Sequence, residues 1–344
     1  MTQIPRPEHP QPQMKREHWK NLNGEWDFSF DFGCSGIDQK WQEGKTDWEK
    51  KILVPFCPES DLSGIGYKDF IPGVWYHRTI TLTGEELKGD LLLHFGAVDY
   101  DARVWINGVE AGRHQGGYVS FTFDITKLVK EGENDITLFA ADDVRSGKQP
   151  KGKQSHFFYS RGCDYTRTTG IWQTVWLEWV PESYIEKVQY YPNLAEATLG
   201  IKAVVKGQGT LEAKAFYGGE PCGSVSAKSE GGTVTMTLPL SRLEKWEPGH
   251  GRLYDLTLTY GEDNVESYFG MREVRLDGEK FLINDKSVFQ RLVLDQGFYP
   301  DGIYTAPTEE ALVKDVELSM AAGFNGARLH QKVFEPLFLY HCDK

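Results

Sequence analysis

A mainly β fold is predicted for this chain. It divides into a jelly roll over residues 1–181, an immunoglobulin-like β-sandwich over 182–275, and the truncated start of a TIM (β/α)8 barrel over 276–344. Three observations predict it. Short apolar and aromatic runs separated by turn residues fill the first 180 positions, with few helical patterns among them. A second stretch of period-two alternation follows Pro181. Near residue 276 the rhythm changes to strand, helix, strand, helix, as in a parallel α/β unit. The length of 344 residues suits two or three domains better than one.

In the first segment Asp90-Leu-Leu-Leu-His-Phe95 and Asp101-Ala-Arg-Val-Trp-Ile106 read as strands. Asn107-Gly108 follows the second directly, and Asn-Gly favours the type I′ turn whose twist matches a hairpin. Gly116-Gly117 breaks the chain before another alternating run, Tyr118 to Ile125. Asp135 to Ala140 and Thr174 to Val180 are further strands. Many short strands without helices suggest a sandwich or jelly roll. Trp105, Trp172 and Trp176 have faces that suit sugar stacking, but in strands such residues belong to a core first. After Pro181, the runs Ala203 to Val205, Thr233 to Leu238 and Tyr254 to Tyr260 alternate between Gly/Ser-rich turns. That spacing fits an immunoglobulin-like sandwich without the paired cysteines of antibody domains.

The third segment opens with Phe281 to Asn284 and Ser287 to Leu294 as strands. Pro307-Thr308 starts a helix whose first turn carries Glu309 and Glu310, where the helix dipole favours negative charge. Leu312, Val313, Val316 and Met320 share one face, and Gly323 is placed to end it. Phe324 to Leu329 reads as a strand and Phe334 to Tyr340 as the next helix. Sixty-nine residues follow position 275, against roughly 250 for a whole barrel. Two strands without neighbours are expected to expose an edge and an apolar face.

Composition narrows the function. The chain is 40% apolar and 13% aromatic with a net charge of −12. That balance opposes nucleic-acid binding, which wants a basic patch. Five widely spaced cysteines without a CxxC do not read as a disulfide framework or a zinc site, and they suit a reducing compartment. Met1 to Gln13 is polar with four prolines, so a cytoplasmic protein without a secretory leader is expected. No run of about 18 apolar residues suggests a membrane span. No cofactor or metal is expected, since phosphate-loop and dinucleotide signatures are missing and no metal cluster stands out; a Ser/His/Asp hydrolase is unsupported, since there is no Gly-x-Ser-x-Gly elbow.

Several motifs in order carry a resemblance. They are Arg6-Pro with Trp19-Lys-Asn-Leu-Asn-Gly-Glu-Trp-Asp-Phe28, Gly73-Val-Trp-Tyr-His-Arg78, Phe95 to Gly108, Gly116-Gly-Tyr118, Phe121-Thr-Phe-Asp-Ile-Thr126 and Gly170-Ile-Trp-Gln-Thr-Val-Trp-Leu177. Gly323-Phe-Asn-Gly-Ala-Arg-Leu-His330 adds a candidate second barrel strand. Together they resemble glycoside hydrolase family 2, which includes β-galactosidases, β-glucuronidases and β-mannosidases. The resemblance implies a sugar-binding jelly roll and retaining hydrolysis of terminal β-glycosides, with a β-galactosidase-like activity as the expectation. It implies that Arg328, ending its strand, orients a nucleophilic carboxylate. Leu329-His330-Gln331 stands where galactosidases and glucuronidases often carry Ser-His. Asp295 and Gln296 follow the first barrel strand and are candidates for sugar hydroxyls, as is His330 at the second. Asp164, at the family's distance before Gly170-Ile171, corresponds to an Asp that touches sugar from a jelly-roll loop.

A retaining glycosidase needs two carboxyl groups roughly 5–5.5 Å apart. In the family these are the Glu of an Asn-Glu pair after the fourth strand and a Glu after the seventh. Asn-Glu occurs nowhere in these residues, so no catalytic residue is assigned within the chain, and alone it is expected to be inactive. The expected partner is a β-linked carbohydrate, with no nucleic acid or membrane and with homo-oligomerisation open. The competing readings are a non-catalytic carbohydrate-binding protein and a scaffold without a sugar site.

Overall fold

The computed structural model describes residues 4–344. The first part is a pair of antiparallel sheets packed face to face. One sheet has the strand order Trp19–Asn21, Val175–Val180, Asp90–Phe95, Phe121–Asp124. The other has the order Lys50–Val54, Gly24–Phe30, Gly73–Leu82, Gly132–Ala141, Asp101–Ile106, Val109–Gln115. The inward side chains of both sheets, among them Trp26, Phe28, Tyr76, Leu93, Phe95, Val104, Leu138 and Leu177, make one core. Asn107 and Gly108 both take positive φ, 52° and 79°, and the hairpin Asp101–Ile106/Val109–Gln115 closes across them. The Asn107 side chain also donates to Asn134 Oδ1 at 2.9 Å and accepts from the Asp135 N–H at 3.0 Å. Trp105, Trp172 and Trp176 are buried, so all three belong to cores.

The second part stacks the three-stranded sheet Tyr184–Asn193, Thr198–Lys206, Gly232–Pro239 on the four-stranded sheet Glu220–Ser229, Gly209–Tyr217, Leu253–Tyr260, Asp263–Gly270. Strict alternation drives it: in Gly232–Pro239 the inward Val234, Met236 and Leu238 are buried while their neighbours are exposed. All five cysteines are free.

The leading segment ties these parts together. Arg16 is 6% exposed and grips Asp263 with two nitrogens at 2.9 and 3.0 Å. Its remaining donors reach Glu178 at 2.9 Å and the Ile185 carbonyl at 2.6 Å. A planar guanidinium satisfies such a convergence where an ammonium could not. Further upstream Arg6 donates to Glu335 at 2.7 Å and to the Ala306 carbonyl at 3.2 Å, fastening the start of the chain to its last segment.

That last segment begins with a small antiparallel meander, Val274–Asp277, Lys280–Ile283, Lys286–Ser287. Strand Leu292–Asp295 then runs parallel to Gly326–Leu329, with helix Glu309–Ala321 between them in sequence and helix Pro336–Asp343 after. The Thr308 side chain accepts from the Ala311 N–H as N-cap, and Gly323 takes φ +88° beyond the C-terminus, both as the sequence predicts. The single strand expected over Ser287 to Leu294 is instead broken at 288–291. There the Asn325 side chain accepts from the Arg291 N–H at 2.8 Å and donates to the Phe289 carbonyl at 2.9 Å. A side chain thus takes the place of ladder bonds. On the helix face only Leu312 is buried; Met320 is exposed. The free side of the parallel pair exposes Leu292 and Leu294, as expected of strands without neighbours.

Candidate site at the strand ends

The two parallel strands end level, Leu294 opposite Arg328 and Asp295 opposite Leu329. Side chains alternate between faces. Leu329 packs with Leu312, Phe334 and Phe338 of the helical layer, so Asp295, its register partner, turns the same way. Leu294 and Arg328 point to the opposite, open side, and both are exposed. Among the described residues Arg328 has no ion-pair partner. The Asp295 carboxylate accepts the Gly297 N–H at 2.7 Å, and loss of hydration raises its pKa above the ordinary carboxylate value. It shares a hollow of about 280 Å³ with Asp315, Trp246 and Cys342. The structure therefore separates Asp295 from Arg328, two residues that the sequence places at one mouth.

It brings Gln296 and His330 together. His330 Nδ1 lies 3.1 Å from Gln296 Oε1, and the His330 N–H donates to the Asp295 carbonyl at 2.9 Å. His330 titrates below an ordinary histidine because hydration is lost and because the charges of Arg328 and Lys153 oppose a further proton.

Lys153 comes from the jelly roll, on the loop of residues 150–168. Gly152, at φ +56°, approaches the chain beside His330 so closely that a Cβ would lie 2.2 Å from the Gln331 carbonyl oxygen. The Tyr165 ring sits 4.5 Å from that of Phe298, and Arg161 and Asp164 close a tight turn by two backbone bonds of 3.1 Å. Asp164 is partly exposed at the end of that turn. The loop is anchored from beneath by Gln154, which is fully buried, donates to Asp99 at 2.7 Å and accepts the Thr168 N–H at 2.8 Å.

Two features escape a linear reading. Lys332 donates to the carbonyls of Gly297 at 2.6 Å and Tyr304 at 2.7 Å. Its ammonium also lies 5.2, 4.8 and 5.0 Å from the ring centres of Trp172, Tyr304 and Phe334, a cation–π box. Withdrawal from water brings its pKa down to about 8. Beneath the loop, Glu59, Asp99 and Asp142 are buried near one another. Burial pushes Glu59 up to about 8 and Asp142 up to about 7. Among the described residues no group of three or more His, Cys, Asp or Glu stands at metal-binding spacing.

A family profile described as "Glycosyl hydrolases family 2, sugar binding domain" matches residues 19–181, and one described as "Glycosyl hydrolases family 2" matches residues 183–272. A β-glucuronidase of Sus scrofa is 26% identical over 389 residues, covering 98% of this chain and 57% of that protein. A β-galactosidase of Lactococcus lactis subsp. lactis is 25% identical over 357 residues, covering 94% of this chain and 34% of that protein. The structure of a Ruminococcus gnavus β-glucuronidase in complex with D-glucaro-d-lactam superposes with a TM-score of 0.81 at 20% identity, over 96% of this chain and 59% of that one. The chain thus spans between about a third and three-fifths of the length of these proteins.

Proposed function

This chain belongs to glycosyl hydrolase family 2, and from that premise we propose that it carries the substrate-facing shell of a retaining β-glycosidase acting on terminal β-glucuronides. One observation carries the reading. Arg328, the Gln296–His330 pair and the jelly-roll loop with Lys153 and Asp164 converge on one edge, where two parallel strands end together. We read those strands and their crossover helix as the first units of a (β/α)8 barrel, whose sites lie at the carboxyl ends of the strands.

The residues take distinct roles. Arg328, exposed and without an ion-pair partner among the described residues, orients a carboxylate and keeps it ionised for attack on the anomeric carbon. Gln296 and His330 offer donors and acceptors to sugar hydroxyls, and Asp164 accepts a further hydroxyl from the loop. Asp295, turned toward the helices, serves the turn at Gly297 and so sets Gln296. The attacking and proton-donating carboxyl groups are supplied by barrel strands beyond the two described. β-Glucuronidases predominate among the relatives, which supports the glucuronide over the galactoside that the motifs suggest.

The test is hydrolysis of nitrophenyl β-glucuronide, β-galactoside, β-mannoside and β-glucoside by this chain and by a version continued through a whole barrel. Turnover of the glucuronide by the longer version alone is expected. Preference for galactoside sinks the substrate assignment. Turnover by the 344-residue chain itself sinks the assignment of both carboxyl groups to further strands.

A further inference from the structure

The chain carries a net charge of −12, yet the open edge of the strand pair gathers cations. Lys153 arrives on the jelly-roll loop, Arg328 ends the second strand and His330 follows it. The close approach of Gly152 to the Gln331 carbonyl holds the loop against the strand end, which sets Lys153 beside His330. Among the described residues none of the three enters a salt bridge. Lys153 donates only to the Cys163 sulfur, at 3.3 Å, a weak acceptor for an ammonium. Asp295, which stands opposite Leu329 on the neighbouring strand, faces the helical layer and accepts the Gly297 N–H.

Unpaired like charges held together cost free energy unless an anion joins them. His330 titrates below an ordinary histidine first because hydration is lost and second because the charges of Arg328 and Lys153 oppose its proton. In the reading above, Arg328 is committed to the nucleophilic carboxylate. Lys153 is left, with His330 at its side and Asp164 on the far end of the same loop. We propose that Lys153 is the specificity-determining residue of this edge, pairing with the carboxylate of a uronic acid and so selecting it over the matching neutral sugar. This rests on the reading of the strand ends as the sugar site. It places anion recognition on the jelly roll, in a loop whose backbone is fixed by Gln154 and by the Tyr165–Phe298 contact.

The experiment uses the whole chain and two probes, methyl β-D-glucuronide and methyl β-D-glucoside, with affinities read by NMR titration. Wild-type chain is expected to favour the glucuronide by about tenfold, the size of one charge-assisted bond. Lys153→Gln is expected to abolish that preference while leaving glucoside affinity and Tm unchanged, and Lys153→Arg to restore most of it. A preference that survives Lys153→Gln overturns the role of Lys153 and leaves the sugar site standing. Equal binding of both probes by the wild type overturns anion selection. Failure to bind either probe overturns the sugar-site reading and this proposal with it.

Discussion

Lys332 and Glu59 each carry an ionisable group away from water, and their signs are opposite. Folding lowers the pKa of Lys332 to about 8, against about 10.4 for a free lysine. The unfolded chain therefore holds the proton more tightly between those values, and stability rises with pH across that window. Lys332→Met removes the dependence. Denaturant midpoints of wild type and variant should diverge in favour of wild type by up to about 2 kcal/mol between pH 7.5 and 9.5; parallel curves would refute it. For Glu59 the folded pKa of about 8 lies above the free value of about 4.3. Its contribution is present below the lower value and is lost as pH rises through the upper one. Glu59→Gln keeps the shape, and should exceed wild type by a few kcal/mol at pH 9 while matching it near pH 5, as read by urea denaturation. Neither group announces itself in the sequence. Glu59, Asp99 and Asp142 lie far apart along the chain and come together only in the folded interior, whereas Asn107-Gly108 is legible because its turn is local.

At the level of elements, legibility followed the range of the interaction. The helix Glu309–Ala321 was readable because its cap, acidic first turn and terminal glycine are neighbours in sequence. Thr308→Ala should cost about 1 kcal/mol. Hydrogen exchange should quicken at the amides of residues 309–313 and stay unchanged in the jelly roll. The strand expected over 287–294 is interrupted; alternation reports burial pattern and says nothing about whether a partner lies alongside. Asn325 instead bridges residues 289 and 291. The orientation of Asp295 was unreadable for a related reason: a one-residue change in where a strand ends reverses the face of its last side chain.

For the molecule as a whole, the joints are ionic and buried. Glu178 sits where burial opposes its charge, yet the nearby imidazoles of His9 and His94, 3.6 and 3.3 Å away, and the bonded guanidinium of Arg16 hold its pKa well below the usual carboxylate range. A depressed carboxylate contributes stability above its unfolded value and loses it as pH falls. Arg16→Met leaves Glu178 and Asp263 buried without their partner, a loss of about 3–5 kcal/mol. Calorimetry should then show the two sandwiches melting in separate steps; a single unshifted transition would refute the coupling. That β structure gives way near residue 276 to a strand–helix–strand unit is legible because the period changes there, but Arg6 and Arg16, which join the parts, look like ordinary surface arginines in a polar leading segment.

The bare side of the strand pair has a colloidal consequence. Leu292 and Leu294 are 40% and 53% exposed along a short ladder whose edges are unpaired among the described residues, and Phe289, just before it, is 80% exposed, the geometry that invites like molecules to stack. Solutions of this chain should therefore scatter light increasingly with concentration despite a repulsive net charge, worsen in ammonium sulfate, and clear when Leu294 is changed to lysine.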